Sequence, residues 1–131
     1  MKKYRNILLF CFFIYSGYCQ QTESSRPEIH EIVTERYPNG LKKLVHRYQG
    51  TGINEILIGK YGFYENGIKK SKGTYKDGKL DGPYTEWYDD GQKSIDGIYK
   101  DGIKDGLWIE WTQEGKKKSK TKWKNGKKKK W

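Results

Sequence analysis

Cysteine is almost missing from this 131-residue chain: there are two, Cys11 and Cys19, both within the first nineteen residues. A chain relieved of that segment has no disulfide to stabilise it, no thiol nucleophile and no thiolate for zinc. Histidine is nearly as scarce, with His30 and His46 alone. Ser71, Ser94 and Ser119 have no base near them in sequence. No nucleophile or acid–base pair can be named, so the chain reads as a non-enzyme without cofactor or metal. Helix-type spacing with caps is also lacking after the leader, which predicts almost no helix.

The N-terminus is the exception to this polar character. Lys2, Lys3 and Arg5 precede the apolar run Ile7 to Tyr15, and Ser16, Gly17 and the polar stretch Gln20-Gln21-Thr22-Glu23 follow. That is the layout of a secretory signal peptide, and the run is too short to span a bilayer as a mature helix. Residues 1–19 are expected to be removed by cleavage after Cys19, leaving residues 20–28 as a disordered mature N-terminus. The protein is then secreted, or periplasmic or attached to the outer envelope. A second reading makes Cys19 the lipid-bearing residue of a lipoprotein, although bulky Tyr18 does not suit that processing.

The net charge of +11 is unevenly distributed. Residues 20–106 hold 14 Lys or Arg against 14 Asp or Glu, whereas residues 107–131 hold ten Lys against Glu110 and Glu114. The basicity belongs to one end. Lys116, Lys118, Lys120, Lys122, Lys124 and Lys127 to Lys130, with Lys117 and the rings Trp123 and Trp131, form a Lys-rich strand that could contact an anionic lipid surface. Arginine is absent from the cluster, and Lys is a point charge rather than a fork, which argues against nucleic acid as partner. The structural alternative is an edge strand kept soluble by charge.

Glycine is abundant and periodic. Gly67, Gly91 and Gly115 recur every 24 residues, as do Gly78, Gly102 and Gly126, and Tyr75, Tyr99 and Trp123. Gly73 repeats as Gly97, and Gly82 as Gly106. A fixed period of this size denotes a stacked array in which each unit buries itself against its neighbours. Each unit carries two turn signals: Asn66-Gly67, Asp90-Gly91 and Glu114-Gly115, then Asp77-Gly78, Asp101-Gly102 and Asn125-Gly126. The second signal is followed four residues later by another Asp-Gly, which predicts a six-residue loop over 77–82 and again over 101–106. Between turns the period is two, so Ser71, Gly73 and Tyr75 share a face, and aromatic rings can lie over the glycines of adjoining strands.

Residues 29–60 read as a divergent first unit, about three residues longer than the rest, with the excess between Gly50 and Ile58. Residues 61–131 read as regular repeats ending in a Lys-rich half unit that lacks its second strand. Aspartates 77, 81, 101 and 105 invite a calcium site, but turn chemistry explains them without an ion. His46 aligns with Gly73 and Gly97. One sheet face is expected to present Tyr84, Tyr88, Trp108 and Glu110 as a shallow platform for a peptide, glycan or protein, unless these rings serve repeat-to-repeat packing.

The segments FYENGIKKSKGTYKDGKLDGPYTEWYDDG and WYDDGQKSIDGIYKDGIKDGLWIEW resemble the MORN repeat in its bacterial variant form. The resemblance is close across 61–126 and weaker across 35–60. It implies an all-β fold: an elongated, twisted, single-layer antiparallel sheet of successive hairpins. It further implies a non-catalytic scaffold or interaction module. Membrane association is an alternative, and some relatives carry an antitoxin label of the YwqK type, which makes a toxin a further candidate partner.

Overall fold

The computed structural model describes residues 27–130. The expected leader, the Cys19 site and the terminal Trp131 lie outside the described residues. Nine strands follow one another: β1 Ile29–Arg36, β2 Lys42–Gln49, β3 Ile56–Phe63, β4 Lys69–Lys76, β5 Lys79–Trp87, β6 Lys93–Lys100, β7 Ile103–Trp111, β8 Lys117–Lys124 and β9 Lys127–Lys129. They form one antiparallel sheet in strict chain order, each strand hydrogen-bonded to its sequence neighbours and the sheet left open. The one helical element among the described residues is the 3-10 turn Gly52–Asn54. It sits in the β2–β3 connection, where the extra length of the first unit is accommodated.

Two kinds of turn alternate, and both follow from glycine. At one end of the strands, Tyr37, Tyr64, Tyr88 and Thr112 each accept a hydrogen bond from the N–H of the glycine three residues on. Those glycines, 40, 67, 91 and 115, have φ of 84°, 82°, 89° and 76°. This is a three-residue loop closed by a left-handed residue, which only glycine adopts without strain. At the other end, Asp77-Gly78, Asp101-Gly102 and Asn125-Gly126 have φ > 0 at both positions, 49° at each Asp or Asn. That is the two-residue turn whose twist matches the flanking strands.

The six-residue loop expected over 77–82 and 101–106 is therefore corrected. Asp81-Gly82 and Asp105-Gly106 lie inside β5 and β7 as bulges. Tyr84 pairs with Gly73, yet Leu80 pairs with Tyr75, so extra residues are taken up on the β5 side. Gly82 and Gly106 absorb the kink at φ 113° and 68°. The final unit is likewise not confined to its first strand, because β9 pairs Lys127, Lys128 and Lys129 with Lys124, Trp123 and Lys122.

A row of cross-strand partners runs His46, Lys60, Gly73, Tyr84, Gly97 and defines what we term the ring face. Trp108, paired with Thr121, continues it. With no second layer to pack against, this face buries rings edge-on within itself. Tyr99 stands perpendicular to both Tyr84 and Trp108, at centroid separations of 5.3 and 5.0 Å. The Trp108 indole lies over Gly97, where even a Cβ would collide with ring carbons. Trp108 is 3 % exposed and its indole N–H is shared between the Ile98 and Asp105 carbonyls. A buried ring of this size contributes about 1.5–3 kcal/mol.

Gly97→Ala is expected to cost about 1–3 kcal/mol, because a rigid indole cannot yield to the added methyl. At Gly73 the nearest atom to an added Cβ is a Leu80 methyl at 2.7 Å, the end of a side chain that can swing aside. Gly73→Ala should therefore perturb urea unfolding far less than Gly97→Ala. Equal midpoints for the two variants would contradict this packing.

Candidate functional site

The turns do more than reverse the chain. The Tyr37, Tyr64 and Tyr88 hydroxyls donate to the carbonyls of Phe63, Trp87 and Trp111, each at 2.8 Å and each one repeat further along. Asn39 and Asn66 repeat the gesture with their amides, to Glu65 and Asp89 carbonyls. The same asparagines accept from Leu41 and Ile68 N–H and so shape their own loops. At the opposite end the Asp81 carboxylate accepts from Asp101 N–H at 3.0 Å, and Asp105 from Asn125 N–H at 3.2 Å. Gly102 and Gly126 N–H donate to the Leu80 and Lys104 carbonyls. Both ends of every regular unit are thus tied to the next.

Bulges shape the surface between these ties. Glu86 pairs with Ile95 and Trp87 with Lys93, leaving Ser94 unmatched; Lys43, Lys70 and Lys118 occupy the same unmatched place in their strands. These residues line shallow grooves that recur along the sheet. One, of about 270 Å³, is bounded by Tyr64, Glu86, Tyr88, Glu110, Trp111 and Lys118. Another, of about 420 Å³, lies two units earlier and includes Tyr37, Phe63 and Lys70.

The four residues expected as a platform divide between two tasks. Tyr88 and Glu110 line the groove together. Trp108 and Tyr84 belong to the ring stack, with centroids 6.2 Å apart. Trp108 is buried and therefore takes the packing role rather than the platform role. The Tyr84 hydroxyl donates to Glu86 Oε1 at 2.6 Å, and burial together with that bond pushes its pKa well above the ordinary tyrosine value. Sequence reasoning missed Glu86, although it stands 24 residues before Glu110 in the same repeat column. It also missed Tyr64 and Trp111, whose column was readable but whose groove depends on bulges that no residue type announces.

The C-terminal lysines do not form one surface. Lys120 and Lys122 pair with Ile109 and Leu107, and Lys127 and Lys129 with Lys124 and Lys122, on the face opposite the rings. Lys124 lies 3.6 Å from Asp105. Lys118 lines the groove, and Lys128 lies over the Trp123 ring at 5.6 Å. Lys104, from the column before it, reaches Trp108 at 4.0 Å and Trp123 at 5.3 Å. Lys116 closes the last three-residue loop through its carbonyl, and Lys130 is exposed past β9.

The family description "MORN repeat variant" matches three consecutive segments, residues 59–77, 80–101 and 104–125. The chain belongs to that family. No curated protein and no solved structure matches it. Each MORN match spans one hairpin around a three-residue loop, and the gaps between matches fall at the two-residue turns. The description says nothing of an antitoxin role.

In the MORN array Asp81 and Asp105 are anchors between units and Asp77 and Asp101 are left-handed turn residues, and no group of three His, Cys, Asp or Glu suited to a metal occurs among the described residues. His46 Nδ1 lies 3.3 Å from the Tyr48 hydroxyl, and burial with nearby Lys60 holds its imidazole below the ordinary value of 6.5. His30 faces Glu55 at 3.3 Å.

The hydroxyl ties are testable one at a time. Tyr88→Phe removes one donor and leaves the Trp111 carbonyl short of a partner, which should cost about 0.5–1.5 kcal/mol. Urea unfolding of the purified variant measures this, and an unchanged midpoint would remove the tie from the stabilising account.

Proposed function

We propose that this MORN protein is a non-catalytic interaction scaffold whose ring-face groove receives an extended segment of a partner protein. The observation that carries this reading is the convergence of Tyr64 and Tyr88 with Glu86 and Glu110 in one open groove. Rings supply contact area at small entropic cost, and the carboxylates supply acceptors for cationic or hydroxyl groups of the partner. The Lys2–Glu23 pattern supports action outside the cytoplasm, in the envelope or beyond it.

A second reading rests on a different face. Lys120, Lys122, Lys127 and Lys129 lie on the outer face beside Leu107 and Ile98, which are 38 % and 47 % exposed. Lysines around exposed aliphatic groups suit an anionic lipid surface, at roughly 1 kcal/mol per charge near it.

One experiment separates the two. The tagged full chain is cross-linked in intact cells and recovered from the envelope fraction, beside a Glu86→Gln/Glu110→Gln variant and a variant with Lys127 to Lys130 changed to Gln. The groove reading expects a cross-linked protein that the first variant loses several-fold and the second keeps. Loss with the second variant alone, together with loss of binding to anionic vesicles, would replace it with the lipid reading.

A further inference from the structure

A cavity of about 450 Å³ opens on the outer face between β2, β3, β4 and the start of β5, away from the ring-face grooves. Its lining includes Arg47, Gly59, Tyr61, Lys72, Thr74 and Lys76. The rows are direct: Arg47 pairs with Gly59 and Gly59 with Thr74, while Tyr61 pairs with Lys72 one row away.

The repeat breaks at two of these positions together. The place of Gly59 is held in the following units by Pro83 and Leu107, which pair with Ile98 and Lys122. The place of Arg47 is held by Thr74, Ile98 and Lys122. Where a regular unit puts a side chain across the outer face, this unit leaves a gap; beside the gap it puts a guanidinium. Folding does not demand the glycine. Its φ is not left-handed, and an added Cβ would meet Gly73 O at 3.4 Å and Arg47 Cβ at 3.6 Å, ordinary contact distances. A departure from the repeat that the backbone does not require points to a function.

The charges agree. Arg47 Nη1 donates to the Tyr61 hydroxyl at 3.1 Å, and its Nε is buried without a partner. Among the described residues no carboxylate forms an ion pair with Arg47, Lys72 or Lys76. Asp81 also lines the cavity, its Oδ2 accepting from Asp101 N–H, so the lining carries three cations against one carboxylate. Arg47, Lys72 and Lys76 thus line a concavity that has bare backbone at Gly59, with the Lys72 ammonium resting over the Tyr61 ring at 6.0 Å. We propose that this cavity binds a tetrahedral oxyanion, a phosphate or sulfate group, held by the Arg47 fork and flanked by Lys72 and Lys76. A planar guanidinium matches two oxygens of such a group at once, and the ammonium groups contribute as point charges.

Titration of the full chain with inorganic phosphate, followed by amide NMR, is expected to shift Arg47, Gly59, Tyr61 and Thr74 in a saturable way, with sulfate competing. Arg47→Gln should weaken binding about tenfold or more. Gly59→Leu installs the residue that a regular unit carries and should abolish binding, with its amide spectrum outside β2–β4 matching the parent's to show that the fold is kept. Vesicles of phosphatidic acid identify the source. Arg47-dependent vesicle binding assigns the group to a lipid headgroup, and phosphate binding with Arg47-independent vesicle binding assigns it to a soluble molecule. Shifts spread over the lysines of residues 116–130, absence of saturation, or undiminished binding by both variants would overturn the site.

Discussion

A sheet one layer thick has no opposing layer in which to hide apolar area, and this constraint governs the molecule. The available answer is to lay rings across the sheet, over positions that have given up their own side chains. Trp108 over Gly97 is the fullest case, and Tyr84 with Leu80 over Gly73 a looser one. Val45, on the outer face, and Trp108, on the ring face, are the buried hydrophobic residues of the described chain, so neither face has a core with volume. Small area buried per unit leaves hydrogen bonds between units a larger share of the stabilisation than a globular domain would assign them. The tyrosine, asparagine and aspartate ties at both strand ends meet that need.

Most of this order could be read from residue types. Glycines at 67, 91 and 115, and at 78, 102 and 126, all take φ > 0, as a repeating turn demands. Period-two columns put Gly73 with Tyr75 and Tyr84 with Trp108, while pairing shows that both sets share one face. What could not be read was the division of labour within a column. Asp77-Gly78 and Asp81-Gly82 look alike as dipeptides, yet one turns the chain and the other bulges a strand. The difference lies in pairing register, which is set by partners distant in sequence.

The same limit applied to the functional surfaces. Tyr88 and Glu110 emerged from column reasoning, but the groove they share owes its walls to unmatched residues such as Ser94 and Lys118. Arg47 and Gly59 drew no notice in the sequence because neither residue type announces a site until the two are known to be partners. Counting from His46, which aligns with Gly73 and Gly97, puts Arg47 where Thr74 and Ile98 stand, but only pairing shows that Arg47 and Gly59 face each other across β2 and β3. Departures from a repeat are visible once the register is known, and the divergent unit is where they concentrate.

Equivalent grooves lie at whole repeats, and a repeat is two strands wide. Strands sit about 4.8 Å apart, so successive grooves stand roughly 9.6 Å from one another. A polyproline II segment crossing the strands advances about 3.1 Å per residue with three residues per turn, so every third of its side chains would come into step with a groove on the same side. The array is in effect a measuring rod. It would favour ligands by the interval between their contact groups as much as by what those groups are.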